Sequence, residues 1–503
     1  MPSILGANSV TGDFITNSLR LSPSDNGFLE RTTAGVADSN RRTFTFSWWT
    51  KISVGVEQHL YGFRVNANNA SFFRFNANGQ LRFANEDNDG TVHRVETNRK
   101  FRDTSAFYHI VLRVDTTQGT AANRVRIYVN GVEETSLATT DYPALNYQLE
   151  INQTDSFIIG SMRNTNGTTT GAIEGYLADV HFADGQSLAP TVFGETNDNG
   201  VWIPKNCKAD ITYGTRGFFL NFSEGNIGNS GEMAVGNIGA DYSGKGNHFA
   251  SGNVTTLDQT TDTPTNNFAT MNPLDNFYSA HTMSEGNVKF VTNGSGDGPF
   301  QTATIGDLKQ GKWYFEFKYT DPAHTGGGDA AGEFYGQIGI CGSGLSVATD
   351  AAFSSFEHNF AYSSDNGRIK FNNTAGTVHG ASISADGQII GFLIDLDNNR
   401  VTTHLNGQYA DGSGNHDESS PTAYVSVTAP ASTPLGGYMI AFGENVGSSE
   451  SGNQNTGTYE INFGNPSFAI SSSNADADGH GNFEYAVPSG YFALCTKNLA
   501  EYG

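Results

Sequence analysis

Basic and aromatic side chains recur at alternate positions of several short apolar segments in the first half of the chain. In residues 61–65 (YGFRV) and 71–75 (SFFRF), the phenylalanines alternate with Arg64 and Arg74. Successive side chains of a β-strand point to opposite faces, so these arginines are expected on the face turned away from the core. The same count assigns six residues to outward positions: Trp49, Arg64, Arg74, Arg82, Arg126 and Tyr128.

This set of side chains has the chemistry to bind an anionic sugar polymer. A guanidinium group binds carboxylate or sulfate through two parallel hydrogen bonds, and an indole ring can stack on the apolar face of a sugar. If the strands share one sheet, the sequence predicts a glycan-binding surface for an anionic polysaccharide. The alternative is a solvated sheet face or a subunit interface in which the arginines pair with Asp and Glu.

A second group of polar side chains resembles the first half of a calcium-binding loop. Asn474, Asp476 and Asp478 alternate with alanine and are followed by Gly479, and alternating oxygen ligands before a glycine are typical of such loops. The glutamate that completes these loops would stand where the chain has Tyr485. Two interpretations therefore stay open, a Ca²⁺ site and an ordinary Asx-rich turn, and no other cofactor is expected.

Sugar hydrolysis requires two carboxylates on one strand face, roughly 5–10 Å apart. The nearest pair, Glu174 and Asp179, has a spacing of five residues, which places the two side chains on opposite faces of a strand. The chain also lacks the motifs G-x-S-x-G, H-E-x-x-H and C-x-x-C, which mark nucleophilic, metal-dependent and redox sites. We therefore expect no enzymatic activity, and a polysaccharide depolymerase is the weaker alternative.

These segments belong to a chain whose composition is typical of an all-β protein. It has 503 residues, with 60 glycines and 12% aromatic residues, and this mixture favours strands joined by tight turns. The net charge of −23 argues against nucleic-acid binding. No stretch is apolar enough for membrane insertion, and no secretion signal is recognisable at the N-terminus. An odd set of three cysteines indicates reduced thiols.

Alternating segments separated by turn sequences predict two antiparallel β-sandwiches in tandem. Between them, residues 205–277 are rich in Gly, Asn, Ser and Thr, which indicates one last strand followed by an extended connection. We predict this organisation along the chain: an N-terminal arm at 1–17, a first sandwich at 18–222, a Gly/Asn-rich linker at 223–282, a second sandwich at 283–470, and a C-terminal loop and strand at 471–503.

Short phrases within both predicted sandwiches resemble known families. The first sandwich contains RTFTFSWW at 42–49, VRIYVNG at 125–131 and GYLADVHF at 175–182, and it resembles concanavalin A-like, laminin G-like domains. The second contains GKWYFE at 311–316 and HLNG at 404–407, and it resembles SPRY domains. The resemblance implies that both sandwiches are jelly rolls.

Two further phrases, DTPTNNFATMNPL at 262–274 and PSGYFALCTKNL at 488–499, resemble phage tail fibre and virion adhesion proteins. Phages of marine bacteria such as cyanobacteria carry proteins of this type. The resemblance implies a structural virion protein that is assembled in the host cytoplasm and attaches the particle to host surface polysaccharide. Other virion proteins and further copies of the chain, often three in a fibre, are the implied partners. The alternative is a capsid or tail decoration protein with a purely structural role.

Overall fold

The structure is a computed structural model. It describes residues 14–32, 39–53, 55–66, 68–153, 155–164, 166–227, 233–275, 282–291, 300–320, 336–343, 358–363, 367–371, 376–444 and 457–503. Most of the predicted N-terminal arm lies outside the described residues, as do parts of the predicted linker and of the predicted second sandwich.

The chain divides into two compact units, residues 10–267 and residues 268–503. In the described residues both units are built from mainly antiparallel sheets, which confirms the predicted all-β fold with two antiparallel sandwiches. The first unit ends at Asn267, so it extends beyond the sandwich that the sequence predicts at 18–222.

The strands of the first unit follow one another closely along the chain. They are β1 (Ser18–Leu21), β2 (Phe28–Thr32), β3 (Thr43–Ile52), β4 (Gln58–Arg64), β5 (Ala70–Phe75), β6 (Gln80–Glu86), β7 (Val92–Lys100), β8 (Tyr108–Asp115), β9 (Val125–Val129), β10 (Val132–Glu133), β11 (Leu137–Asp141), β12 (Ser156–Ile159), β13 (Met162–Arg163), β14 (Thr169–Thr170), β15 (Gly175–Asp184), β16 (Gly194–Thr196), β17 (Trp202–Pro204), β18 (Phe218–Leu220), β19 (Ala250–Gly252) and β20 (Gln259–Thr260). Sheet A has the order β10-β9-β8-β3-β15-β1-β20, with β18 beside β15. Sheet B has the order β11-β7-β6-β5-β4-β12-β2-β19.

The inner faces of sheets A and B enclose the main core of the first unit. From β3 of sheet A, the Phe46 ring stacks on Tyr61 of sheet B with centroids 4.5 Å apart, and Trp48 meets Phe73 edge-on at 5.4 Å. Aromatic pairs in these geometries contribute about 0.5–1.5 kcal/mol beyond their buried area. Each sheet therefore has an inner face in this core and an outer face that points away from it.

The region predicted to be an extended linker supplies edge strands to the first unit. β19 pairs with β2 through Ala250 and Glu30, and β20 pairs with β1 through Thr260 and Ser18. The linker prediction for residues 223–282 was therefore wrong over this part. Backbone hydrogen bonds hold an edge strand along one side, and a Gly- and Thr-rich segment makes them without the apolar alternation that reveals a strand.

A further layer covers much of the outer face of sheet A. Side chains that follow β15 in the chain pack on residues that β8, β9 and β15 turn away from the main core. The buried members of this outer cluster are Val111, Tyr128, Ala183, Phe193, Cys207, Ile211, Tyr213 and Phe219. A ligand is therefore kept from this part of sheet A.

The second unit repeats the two-sheet plan with other strands. They are β21 (Thr282–Ser284), β22 (Lys289–Val291), β23 (Phe300–Thr302), β24 (Lys312–Thr320), β25 (Gly336–Gly342), β26 (Asn359–Ser363), β27 (Arg368–Phe371), β28 (Thr377–Val378), β29 (Ile389–Asp395), β30 (Arg400–Leu405), β31 (Gln408–Ala410), β32 (His416–Glu418), β33 (Val425–Ser426), β34 (Tyr438–Glu444), β35 (Thr458–Asn462) and β36 (Phe492–Ala493). Sheet C has the order β21-β22-β35-β24-β29-β30-β31-β32, with β33 beside β30 and β36 beside β24. Sheet D has the order β23-β34-β25-β26-β27-β28.

The predicted C-terminal loop and strand form part of the second unit. β36 runs parallel to β24, with Phe492 opposite Trp313. The helix α1 (Thr496–Tyr502) follows, which the sequence did not predict because two turns are too short to show a helical period. Leu499 of α1 packs against the core of this unit. Among the described residues, no helix has the length and apolar character needed to cross a membrane.

Candidate functional site

The six residues predicted to form a glycan surface lie on two different sheets. Sheet B carries Arg64, Arg74 and Arg82. Sheet A carries Trp49, Arg126 and Tyr128. Because the main core lies between the sheets, the two groups point in opposite directions and cannot touch one ligand. The strands thus do not form the single surface that the sequence suggested, since alternation fixes the face of a side chain but not the neighbours of its strand.

Trp49 is covered and offers no ring to a sugar. The residue is 4% exposed, and its ring stacks on His109 with centroids 4.7 Å apart. Ile15 and Ala178 pack against it. Tyr128 is 7% exposed and belongs to the outer cluster of sheet A. Both side chains point away from the main core as predicted, but other parts of the chain bury them.

Arg126 stays partly exposed near the hairpin of β9 and β10. Its Nε lies 3.5 Å from Oε1 of Glu133, and its Nη2 donates a hydrogen bond to Asn123. These partners are close in sequence and tie the guanidinium to its own hairpin. Arg126 therefore fits the alternative interpretation, in which an outward arginine pairs with an acid.

We call the outer face of sheet B around Arg64, Arg74 and Arg82 the arginine face. A row of polar side chains crosses it, because His59, Arg74, Arg82 and Glu96 lie opposite one another on β4, β5, β6 and β7. Directly opposed residues have Cβ atoms about 4.5–5.5 Å apart. The centre of the row therefore holds two guanidinium groups on adjacent strands.

Each arginine of this face has an acid close by. The shortest separations between nitrogen and carboxylate oxygen are 2.5 Å for Arg74–Glu57, 2.5 Å for Arg82–Glu96 and 3.9 Å for Arg64–Glu86. The side chains of Arg74 and Arg82 keep 16% and 22% of their surface exposed. Within the described residues, Arg82 hydrogen-bonds through Nε, which leaves its two terminal nitrogens for a ligand.

Apolar side chains support the row. Ala70, Phe72, Ala84 and Met162 form a small buried cluster on the same face. The Arg74 guanidinium lies 5.1 Å from the centroid of the Phe72 ring, a distance at which a cation is attracted to an aromatic face. Since Phe72 is 5% exposed, its role is to hold Arg74 in place.

The electrostatics of the row favour an added anion. Burial lowers the pKa of His59 to about 3, with a further contribution from the Arg74 charge, so the imidazole is neutral at neutral pH. Burial also lowers the pKa of Arg74; Glu57 opposes this shift and the neighbouring Arg82 adds to it. An anion placed between Arg74 and Arg82 would reduce this repulsion.

The predicted calcium ligands form a closed turn in the second unit. Asp476 is 7% exposed. One of its carboxylate oxygens accepts hydrogen bonds from the backbone N–H groups of Asp478 and His480, at 3.0 and 2.9 Å. The other accepts from the backbone of Ala493 and from the amide of Asn498, at 3.0 and 2.8 Å. Asp476 thereby ties the C-terminal segment to this turn.

The two other predicted ligands also have partners in the protein. The side-chain amide of Asn474 donates to the carbonyl of Glu484 at 3.0 Å, and Asp478 accepts from the hydroxyl of Tyr502 at 2.9 Å. In the ranges that the structure describes, no group of three His, Cys, Asp or Glu side chains is arranged to hold a metal ion. These contacts fit the Asx-rich turn, and Ca²⁺ binding stays a prediction.

A buried polar cluster lies on the covered face of β15, and of its members only Asp179 was a candidate site residue from the sequence. His181 Nε2 lies 3.1 Å from Asp179 Oδ2 and 3.7 Å from Cys207 Sγ, and its Nδ1 lies 2.8 Å from the hydroxyl of Tyr213. Burial opposes the charged imidazole, but Asp179 and Cys207 raise the pKa of His181 well above its usual value. Because acid and thiol share one ring nitrogen, the imidazole cannot relay a proton between them as a catalytic triad does.

A second buried polar chain lies in the second unit and joins sheet C to the C-terminal loop. His404 Nδ1 accepts from the backbone N–H of Gly407 at 3.2 Å, so its Nε2 carries the proton and donates to Tyr314 at 2.7 Å. Tyr314 in turn donates to Glu316 at 3.0 Å. Burial lowers the pKa of His404 to about 3 and raises the pKa of Glu316. Glu316 accepts hydrogen bonds from the backbone N–H groups of Glu484 and Tyr485, at 3.0 and 2.8 Å, so this buried chain anchors the C-terminal loop.

Comparison with solved structures returns β-sandwich domains. The SPRY domain of human HERC1 is 12% identical, with 38% of this chain and 96% of that chain covered and a TM-score of 0.27. The CBM40 domain of the Ruminococcus gnavus IT-sialidase, solved with α2,3-sialyllactose, is 16% identical, with 32% and 88% covered and a TM-score of 0.25. A heptameric SAP-like pentraxin from Limulus polyphemus is 13% identical, with 35% and 79% covered and a TM-score of 0.26.

Sequence comparison adds one match, and it falls on the unit that carries the arginine face. No curated protein matches the chain. Residues 29–186, from β2 to the end of β15, match the family described as the concanavalin A-like lectin/glucanases superfamily.

Proposed function

We propose that this protein binds surface glycans noncovalently through the arginine face of its first unit, as a tail fibre or appendage of a phage virion. The observation that carries the glycan part is the pair of Arg74 and Arg82, which are adjacent on β5 and β6 and partly exposed. The match of residues 29–186 to a superfamily of lectins and glucanases supports the same part.

The virion part of the proposal rests on sequence resemblance. The phrases at 262–274 and 488–499 resemble tail fibre and virion adhesion proteins. In this proposal the partners are host surface polysaccharide, other virion proteins and further copies of the chain. The chemistry is recognition without catalysis.

The binding step follows from the charges of the arginine face. A carboxylate or sulfate group of a polysaccharide would bridge the guanidinium groups of Arg74 and Arg82 through charge-assisted hydrogen bonds. Glu57 and Glu96 already neutralise part of this charge, so a single contact is weak. Several copies in one particle would multiply weak contacts along a repeating polymer.

The Arg–Glu pairs of the same face also favour a second candidate, a decoration protein in which sheet B contacts another virion subunit. Arg64, Arg74 and Arg82 each lie within 4 Å of a glutamate, as in a self-complementary charged surface. Labelling the chain in the intact particle separates the two candidates. A distal position favours attachment, and a position on the capsid or tail shaft favours decoration.

A depolymerase remains the weakest alternative. Glu174 and Asp179 are each 6% exposed, and the structure gives both of them protein partners: Ser22 donates to Glu174 at 2.8 Å and His181 lies 3.1 Å from Asp179. Carboxylates held in this way do not face an open surface. Release of reducing sugar from host polysaccharide would support this alternative.

Adsorption to beads coated with dextran sulfate, with uncharged dextran as the matched ligand, tests the glycan proposal. The double change Arg82→Gln and Glu96→Gln removes the cation without leaving its buried acid unpaired. We expect binding to dextran sulfate to weaken by at least about tenfold, because one charge-assisted contact contributes about 1.5–3 kcal/mol and each 1.4 kcal/mol is about a factor of ten.

The control for this assay is Lys245→Gln. Lys245 is exposed in a turn outside the strands of the arginine face. Its loss lowers the net charge by one, whereas the double change leaves the net charge unchanged, so this control is the more demanding test of an effect of overall charge. We expect this variant to bind like the native chain. Equal binding by all three proteins, or equal binding of the native chain to both polymers, would contradict the proposal.

A further inference from the structure

A buried lysine stands beside an aspartate and an asparagine at the end of β3. The side chain of Lys51 is 2% exposed, and its Nζ donates hydrogen bonds to the carboxylate of Asp262 and, at 2.9 Å, to Oδ1 of Asn267. Asp262 is fully buried and Asn267 is 6% exposed. An amine, an acid and a carboxamide therefore meet in one place from which water is largely excluded.

Aromatic rings line this place, and hydrogen bonds fix its members. Lys51 Nζ lies 4.8 Å from the centroid of the Tyr176 ring and 5.5 Å from that of Phe107. The amide nitrogen of Asn267 donates to the carbonyl of Ser105 at 2.6 Å, which turns its Oδ1 towards the amine. The carbonyl carbon of Asn267 lies one bond, about 1.2 Å, beyond that oxygen, so the amine is held next to a carbon that it can attack.

Burial sets the protonation of the pair. It lowers the pKa of Lys51, and the charge and hydrogen bond of Asp262 oppose this shift. In a place of low dielectric constant, an ion pair is in balance with its neutral form, an amine and a carboxylic acid. A desolvated neutral lysine is a nucleophile, and the neighbouring acid can carry a proton.

We propose that Lys51 and Asn267 form an intramolecular isopeptide bond, with Asp262 as the group that moves the proton. The ammonium group of Lys51 first gives a proton to Asp262. The neutral Nζ then attacks the carbonyl carbon of Asn267, and a new C–N bond forms. Asp262 donates its proton to the side-chain nitrogen of Asn267 and takes one from Nζ as the old C–N bond breaks. The released ammonia then takes this proton from Asp262 and leaves as an ammonium ion.

The step balances without an added reagent. One ammonium group and one carboxamide give one secondary amide and one ammonium ion, and Asp262 returns to its starting carboxylate. No oxidant or reductant takes part, and the leaving group is ammonia. The reaction needs the folded chain, because Lys51 and Asn267 are 216 residues apart in sequence and meet through the packing of the first unit.

The bond would close residues 51–267, most of the first unit, into a covalent ring. Lys51 lies in β3, a central strand of sheet A, and Asn267 is the last residue of the unit. A force applied at the end of this unit would then reach a central strand through a covalent bond instead of peeling away the edge strand β20. Closing a long loop also removes conformational freedom from the unfolded chain.

Mass spectrometry of the intact, purified full chain tests this inference. We expect a mass about 17 Da below the sequence value, the loss of one ammonia, and a linked pair of tryptic peptides that contain Lys51 and Asn267. A full sequence mass in the native chain would overturn the inference. A loss of the same size without the linked peptides would also overturn it, because an asparagine can lose ammonia by cyclising on its own backbone.

Variants separate the bond from a plain buried ion pair. Lys51→Arg keeps the cation but cannot form the amide, and Asp262→Asn removes the proton carrier; we expect the full sequence mass in both. Lys245→Arg is the matched control, and we expect it to keep the loss of mass and the linked peptides. If a variant at Lys51 or Asp262 does not fold, the intact mass and the linked peptides of the native chain alone decide whether the bond forms. A linked peptide pair that persists in Asp262→Asn would overturn the role of Asp262.

Discussion

At the scale of single residues, burial decides what each candidate side chain does. Alternation correctly placed Trp49 and Tyr128 on an outer face, yet both are covered, whereas Arg74 and Arg82 keep part of their surface exposed. Local alternation carries no information about which distant segment packs on a face. The identity of an outward residue could therefore be predicted from the sequence, but its accessibility could not.

Trp49→Ala separates a packing role from a binding role. Removing a buried tryptophan leaves a cavity, so we expect the free energy of unfolding of the first unit to fall by about 3–5 kcal/mol, as measured by urea denaturation. Adsorption of the folded variant to dextran sulfate should stay at the native level. The control is Val132→Ala, because Val132 is 68% exposed on β10 of the same sheet. An unchanged free energy of unfolding together with weaker adsorption would contradict the packing role and support a role of Trp49 in ligand binding.

The buried imidazole of His404 predicts how the stability of the second unit depends on pH. Its pKa in the folded chain is about 3, below the value of about 6.5 in an unfolded chain, so the unfolded state binds more protons between these values. Stability is therefore lost as the pH falls below about 6.5, by up to about 1.4 kcal/mol per pH unit for this residue. Urea denaturation at pH 5 and pH 6 measures the slope.

We expect His404→Gln to remove this part of the slope from the transition of the second unit. Tyr314→Phe is the matched control, because it removes the hydrogen bond at Nε2 and keeps the buried imidazole. It should lower stability and leave the pH slope unchanged. The same slope in the native chain and in His404→Gln would show that His404 is not neutral in the folded state.

At the scale of elements, the sequence revealed strands with apolar alternation and missed those without it. β3 and β24 cover all but the first residue of the phrases RTFTFSWW and GKWYFE, in which aromatic residues recur at alternate positions, and their inward residues lie in the two cores. β19 and β20 have no such pattern and were assigned to a linker. An edge strand is held by backbone hydrogen bonds to one neighbouring strand. Backbone bonds do not require alternating apolar side chains, so the sequence of such a strand gives little sign that it is one.

Hydrogen exchange tests the placement of β19 and β20. We expect backbone amides in residues 250–252 and 259–260 to be protected, because these strands pair with β2 and β1. Mass spectrometry of the peptides that cover residues 250–260 measures the rate, and the same peptides in the denatured chain give the unprotected reference. Exchange at the unprotected rate would restore the linker interpretation.

At the scale of the whole molecule, the charge is unevenly divided. The first unit has 20 Lys and Arg against 27 Asp and Glu, and the second has 8 against 24. The second unit is therefore strongly acidic and repels anionic polymers, while the first carries most of the basic residues. Because charges more than about 8 Å apart are screened at physiological salt, contacts at the arginine face decide the binding of an anionic glycan.

The fold class and the tandem arrangement could be predicted from the sequence, because composition and alternation are local properties. The division of the six candidate residues between two sheets could not, because it depends on which strands become neighbours. The structure keeps three of the predicted residues, Arg64, Arg74 and Arg82, on one sheet because β4, β5 and β6 are consecutive hairpin strands. Trp49 and Arg126 were separated from them because β3 and β9 belong to the other sheet.

The location of a bound polysaccharide is the most direct test of the central claim. Hydrogen exchange of the full chain, with and without saturating dextran sulfate, maps the contact onto peptides. We expect the added protection to fall on residues 58–100, which contain β4 to β7, and to be lost in the Arg82→Gln, Glu96→Gln variant. Protection confined to sheet A or to the second unit, or none at all, would contradict the assignment of the glycan site to the arginine face.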